Sequence, residues 1–212
     1  MTLSSFDLPL QPPASLVESF RGKPTAIVSD CLDRLPGAVG LRRFHRGKYL
    51  VGSAFTVRVR PGDNAAIHHA LDIIRPGEVL VVDGGGDISR AIVGGIMKEI
   101  AISRGVAGFV IDGAIRDCGS YTEDDFPCFA RDVIHKGPYK SGPGEICIPI
   151  SVGGMVLSPG DMVLGDEDGV VAFPQGIALS LLEAVIAQEI RESEIIASIR
   201  AGQYQGAYSK QT

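Results

Sequence analysis

Two compact apolar runs, EVLVVDG at 78–84 and VAGFVIDG at 106–113, flank a stretch of helical apolar spacing, ISRAIVGGIMKEIAISRG at 88–105. Strand, helix and strand in so short a span make a βαβ unit, because parallel strands need a crossover and that crossover is almost always right-handed. Gly105 supplies the helix stop. In sheets of this kind the loops at the carboxyl ends of the strands form the ligand crevice. Both GGGD (84–87) and GAIRD (113–117) fall at that edge, so any chemistry is expected there.

The flanking segments extend the sheet. Residues 14–21 and 24–35 have helical spacing, the second opened by Pro24 in the favoured first turn. KYLVGSAFTVRVRPGDN reads as a strand closed by a Pro-Gly turn, and NAAIHHALDIIRPG as a short amphipathic helix with Asn64 as its cap and Gly77 beyond its end. PCFARDVI, EICIPISV and MVLSPGDMVLGDEDGVVAFP are short strands with hairpin punctuation, which makes the sheet mixed. The tail, 176–202, is one long helix with apolar Ile177, Leu181, Leu182, Val185, Ile186 and Ile190 and the acids Glu183, Glu189, Glu192 and Glu194.

With 212 residues, no linker and no repeat, the chain reads as a single α/β domain over 1–212. A net charge of −5 without a basic stripe argues against nucleic acid as a partner. The start, MTLSSFDLPLQPP, lacks the pattern of a signal peptide, and no apolar run is long enough to span a membrane, so a cytoplasmic, non-membrane protein is expected. Cys31, Cys118, Cys128 and Cys147 form no CxxC pair, which fits reduced thiols and argues against structural zinc.

Several motifs compete as sites. GGGDIS follows a strand, and Asp112 ends the next one where a ribose-binding acid would lie, yet Ser89 replaces the third glycine of a dinucleotide fingerprint. Gly94 and Gly95 each cost a helix interior roughly 1 kcal/mol relative to alanine. Either close packing offsets that cost, or the helix begins near 94 and turns the amides of Gly94 to Met97 toward an anion. His68 and His69 are adjacent and cannot share a metal through i,i+4 geometry, while His45 and His135 lie in polar turns; surface or capping roles are expected for all four. Lys98 reads as a helix-surface charge. Arg116 and Asp117 remain open: a local ion pair, or a guanidinium that grips a carboxylate beside an aspartate that holds a cation.

TAIVSDCLDRL, AFTVRVRPGDN, PGEVLVVDGGGD, FPCFARDV, IPISVGGMVLSPGDMVLGDEDGVVAFP and above all GGIMKEIAISRGVAGFVIDGAIRD resemble the 4-hydroxy-4-methyl-2-oxoglutarate/4-carboxy-4-hydroxy-2-oxoadipate aldolases and their RraA-like relatives. The resemblance implies an αββαβ sandwich of the swivelling-domain (phosphohistidine-domain-like) type, with a core over about 24–175 and a C-terminal helix over about 176–204. It implies trimers or hexamers with active sites at subunit interfaces. It also implies metal-dependent pyruvate aldolases, often decarboxylating oxaloacetate as well. By motif position Arg116 would bind the substrate carboxylate and Asp117 would ligate Mg²⁺ or Mn²⁺. The amides of Gly94, Gly95, Ile96 and Met97 would hold further substrate oxygens. A glutamate of a neighbouring subunit's last helix would also contribute, with Glu192 the best match and Glu189 and Glu194 the alternatives.

One departure stands out. The resemblance places an acid 21 positions before the arginine, where this chain has Gly95. Such an acid would position a proton-shuttling water, and Glu99, one turn on, is a possible substitute. A changed substrate, or the non-catalytic role of RraA-like inhibitors of RNase E, is the rival reading.

Overall fold

The computed structural model describes residues 8–34 and 37–206. Two short helices, α1 (Ala14–Ser19) and α2 (Thr25–Asp30), lead into β1 (Arg42–Arg43) and the ten-residue β2 (Leu50–Val59). The centre consists of α3 (Ala65–Ile73), β3 (Glu78–Asp83), β4 (Ala91–Val93), α4 (Gly95–Ser103) and β5 (Gly108–Ile115). Then come α5 (Cys118–Glu123), β6 (Cys128–Val133), β7 (Gly144–Ile146), β8 (Ile150–Val152), β9 (Met155–Leu157), β10 (Met162–Gly165), β11 (Val170–Phe173) and α6 (Ala178–Arg200). The helix expected over 24–35 stops at Asp30: residues 31–34 are turn, with Asp33 and Arg34 at φ +57° and +62°, and Leu35 lies outside the described residues.

Nine of the strands form one mixed sheet. Its parallel heart runs β6-β5-β3-β2, with β1 antiparallel beyond β6, and β10 then β11 antiparallel beyond β2. β8 and β9 make a separate hairpin. The expected strand–helix–strand unit is therefore present, but the crossover departs from expectation. β3 follows β5 as far as the pair Asp83–Asp112. The chain then loops out and returns as β4, parallel to β5 beside Ala114 and Ile115.

The helix expected from residue 88 thus starts only at Gly95, after an extended Gly94 (φ −152°, ψ −174°). Ile92 and Val93 are β-branched and Ala91–Val93 are wholly buried, conditions under which a strand wins over a helix. The insertion also removes the dinucleotide reading. The glycine turn, with Gly85 and Gly86 at φ +67° and +71°, leads into a strand rather than a helix.

Alternation along the parallel strands divides the core. Phe55, Val57, Leu80, Val82, Phe109 and Ile111 face α3, α4 and α5, whereas Ala54, Val79, Val81 and Val110 face the β8–β9 hairpin. A third cluster joins Phe20, Val28, Leu164 and Phe173 to Leu181 and Val185 of α6. Only part of the apolar face expected on α6 is covered: Ile186 and Ile190 stay 41% and 56% exposed. Among the described residues no helix is long and apolar enough to cross a membrane.

Candidate active site

β5 delivers Arg116 and Asp117 to the carboxyl edge of the sheet. The Arg116 amide donates to the Val93 carbonyl at 3.0 Å, which locks the residue beside the end of β4. Asp117 then takes a left-handed backbone (φ 57°, ψ 36°), a conformation that aspartate tolerates better than most residues and that turns the chain into α5. Its Oδ2 accepts the Gly95 amide at 2.9 Å. Arg116 Nε lies 3.7 Å from the same oxygen, in ion-pair range but beyond a hydrogen bond, so the guanidinium keeps its donors for another partner. Both side chains are about half exposed, at 44% and 54%.

Arg116 separates two hollows. One, of about 180 Å³, has apolar walls from Ile92, Val93, Ile96, Met97 and Pro138, with Asn64, His68 and Lys140 at its polar end. The other is wider and shallower, about 510 Å³, and is lined by Asp117, Cys118, Val133, Ile134 and His135. Gly94, Ile96 and Met97 face the first hollow with the opening turn of α4, where main-chain amides lack helical acceptors. The Gly95 amide is instead engaged by Asp117.

Both glycines touch the pair. A Cβ on Gly94 would sit 2.9 Å from Asp117 Oδ2 and 3.0 Å from Arg116 Cγ, so only glycine fits without displacement. A Cβ on Gly95 would make ordinary contacts of 3.4 to 3.7 Å with Asp117. An acid at 95 would therefore lie directly against Asp117. The cost of glycine in a helix interior does not apply, since Gly94 caps the helix and Gly95 opens it.

The loop beneath the first hollow is tied down by Asp63, whose buried carboxylate accepts the amides of Ala65, Ser141 and Gly142 at 2.8 to 2.9 Å. Burial alone would push this acid up. The three amides and Arg60 outweigh it and hold its pKa below the usual value. Asn64 sits at the expected cap position of α3, but its side chain makes no capping bond; the Ala65 amide goes to Asp63 instead.

Other candidates fall elsewhere. Asp112, the would-be ribose acid, is buried, bonded to Arg131 and to the Gly153 amide. Lys98 is no surface charge: its side chain is 1% exposed, and Nζ bonds the Ser120 carbonyl, Asp124 and Glu99, tying α4 to α5. Glu99 is thus turned toward Lys98. His45 is buried rather than at the surface, with Nδ1 accepting the Cys128 amide and Nε2 near the Lys48 carbonyl, and burial lowers its pKa. Glu192 accepts from Gln188 and, with Glu189, lines a hollow against Ile27 that shares no residue with those at Arg116. Glu189 itself pairs with Lys23 at 2.5 Å.

Asn64, His68 and Lys140 were not expected at a site. The i,i+4 spacing of Asn64 and His68 shows a shared helix face but not the cleft it meets, and Lys140 sits in irregular chain with no pattern to reveal it.

Asp117 Oδ1 has no partner among the described residues, and no cluster of three or more His, Cys, Asp or Glu side chains is positioned there to cage a metal. A lone, half-exposed carboxylate suits a hard cation that keeps water and takes its remaining oxygens from a ligand, the habit of Mg²⁺.

The chain is similar to several known proteins. A Thermus thermophilus 4-hydroxy-4-methyl-2-oxoglutarate aldolase is 37% identical over 124 residues, 58% of this chain and 75% of its own. A Halalkalibacterium halodurans protein provisionally named as the same aldolase is 40% identical over 168 residues, 79% of this chain and 80% of its own. The crystal structure of Streptomyces coelicolor RraAS2, described as an unusual member of the RNase ES inhibitor RraA family, superposes with a TM-score of 0.80 at 27% identity, covering 87% of this chain and 96% of that one. The profile of the RraA-like family, Aldolase/RraA, matches residues 25–172, and the chain belongs to that family.

Proposed function

We propose that this protein is a divalent-metal-dependent carbon–carbon lyase of 2-oxo acids, either a 4-hydroxy-4-methyl-2-oxoglutarate-type aldolase releasing pyruvate, an oxaloacetate decarboxylase, or both. The carrying observation is that Arg116 and Asp117 stand side by side, Arg116 lining the cleft closed by the first turn of α4 and Asp117 the hollow that adjoins it across Arg116. The aldolase names of two relatives support the lyase class and a small-molecule substrate. We further assign the scaffold, as one domain over the chain, to the swivelling-domain type.

Arg116 binds the substrate carboxylate through its planar donors. Gly94, Ile96 and Met97 line the same cleft, and the amides of the opening turn of α4 would favour negative charge there. Asp117 would hold Mg²⁺, or Mn²⁺, and the Gly95 amide fixes the orientation of that carboxylate. The cation, when bound, supplies Lewis-acid stabilisation of the negative charge that develops on the 2-oxo group. In a trimer or hexamer, Glu192 of a neighbouring copy would complete the site; within one chain it lies in a separate hollow.

The test is pyruvate release from 4-hydroxy-4-methyl-2-oxoglutarate and from oxaloacetate with Mg²⁺. Turnover that disappears with EDTA and returns with Mg²⁺ is expected; an Arg116→Ala variant as active as the parent sinks the assignment. A second reading, a non-catalytic regulator acting by protein contact, draws on the likeness to RraAS2 and on Gly95. Inertness toward both acids together with inhibition of an RNase E-type ribonuclease would favour it.

A further inference from the structure

We propose that His68 is the base that removes the hydroxyl proton of a 4-hydroxy-2-oxo acid, with Asn64 hydrogen-bonded to that hydroxyl. The inference rests on the lyase reading above.

Asn64 is 4% exposed and lines the cleft, yet its Oδ1 accepts no hydrogen bond from the described residues. Its Nδ2 reaches only the Met97 sulfur at 3.5 Å, a weak acceptor. If the amide were turned over, nitrogen would replace oxygen as the unpaired atom. In both orientations the head group calls for a ligand that can donate or accept, as a hydroxyl does.

His68 stands one helical turn further on, its amide bonded to the Asn64 carbonyl at 3.1 Å, so the two side chains share a face of α3. The imidazole is half-buried in the same cleft. Arg116 and Lys140 face that cleft, α4 brings only the apolar Ile96 and Met97, and Asp72 lies one turn along α3. Burial lowers the His68 pKa, Lys140 lowers it further, and Asp72 opposes them. The ring is therefore neutral at pH 7 and able to accept a proton.

The step balances without a further reactant. The hydroxyl hydrogen passes to the imidazole, the O–H electron pair forms the new carbonyl, and the C3–C4 bond breaks. Its electron pair goes to the three-carbon fragment, which recovers the proton at C3 and leaves as pyruvate. Oxaloacetate has no such hydroxyl and loses CO₂ without needing this base.

The experiment compares His68→Gln and His68→Asn with the parent on 4-hydroxy-4-methyl-2-oxoglutarate and on oxaloacetate, both with Mg²⁺, after circular dichroism has verified folding. Expected is a loss in kcat on the hydroxy acid of about 100-fold, at least tenfold greater than the loss on oxaloacetate, together with disappearance of the acid limb of the kcat/KM–pH profile. Asn64→Leu should lower activity on the hydroxy acid selectively as well. Equal losses on both acids, or no loss, in a protein whose parent is active overturn the role of His68 alone. A parent inert on both acids overturns the lyase reading and this inference with it.

Discussion

Asp117 and Gly95 are joined by a 2.9 Å hydrogen bond from the backbone amide at the start of α4 to the carboxylate at the end of β5. That bond orients the one acidic group of the site, and it brings two glycines against the same side chain. A methyl group on Gly94 would collide with Asp117 and Arg116, while one on Gly95 would merely touch Asp117. Gly94→Ala is expected to lower kcat/KM by about tenfold or more, since small displacements of positioning groups are costly, with Gly95→Ala within about threefold of the parent. Steady-state kinetics of the pair decides; equal effects would mean that the glycine contact does not hold Arg116 in place.

Arg116→Lys should fail almost as badly as Arg116→Ala, with kcat/KM down about 100-fold, because an ammonium cannot reproduce a two-point grip on a carboxylate. A lysine variant within a few-fold of the parent would show that only the charge matters.

Lys98 predicts a stability effect at high pH. Burial opposes its charge, but Asp124 and Glu99 more than compensate and raise its pKa above 10.5. A raised pKa contributes stability that is complete below 10.5 and fades as pH rises through the folded value. Lys98→Met is expected to cost about 1 to 2 kcal/mol at pH 8, the partner carboxylates being partly hydrated already. Urea unfolding of both proteins should show the gap narrowing above pH 10.5.

Asp63 behaves in the opposite sense. Its depressed pKa contributes stability present above the ordinary value of 3.8 and lost as pH falls through the folded one. Asp63→Asn should cost about 2 kcal/mol at pH 7, where an amide nitrogen would face backbone donors. The difference from the parent should shrink below pH 3.8, as urea midpoints at pH 7 and pH 3 would reveal.

The two apolar strands of the centre could be read directly because burial on both faces leaves an uninterrupted run, as Val79–Val82 and Phe109–Ile111 show. Residues 88–93 misled because a short apolar run fits both periods, and only pairing with β5 decides between them. Arg116 and Asp117 stood out through adjacency at a strand end. Asn64 and His68 did not, since the cleft they share with Arg116 exists only once α3 is laid beside α4, and local spacing carries no trace of that packing. Lys98 was misplaced for a similar reason: its partner Asp124 is 26 positions away.

The first turn of α3 and the start of α4 belong to different crossovers of the sheet, yet they bound one cleft. On the proposed reading, the residues for the common 2-oxo end and those for the variable end of the substrate reside on separate stretches of chain. Exchanging the α3 stretch alone offers a route to new selectivity that leaves the anchoring half untouched.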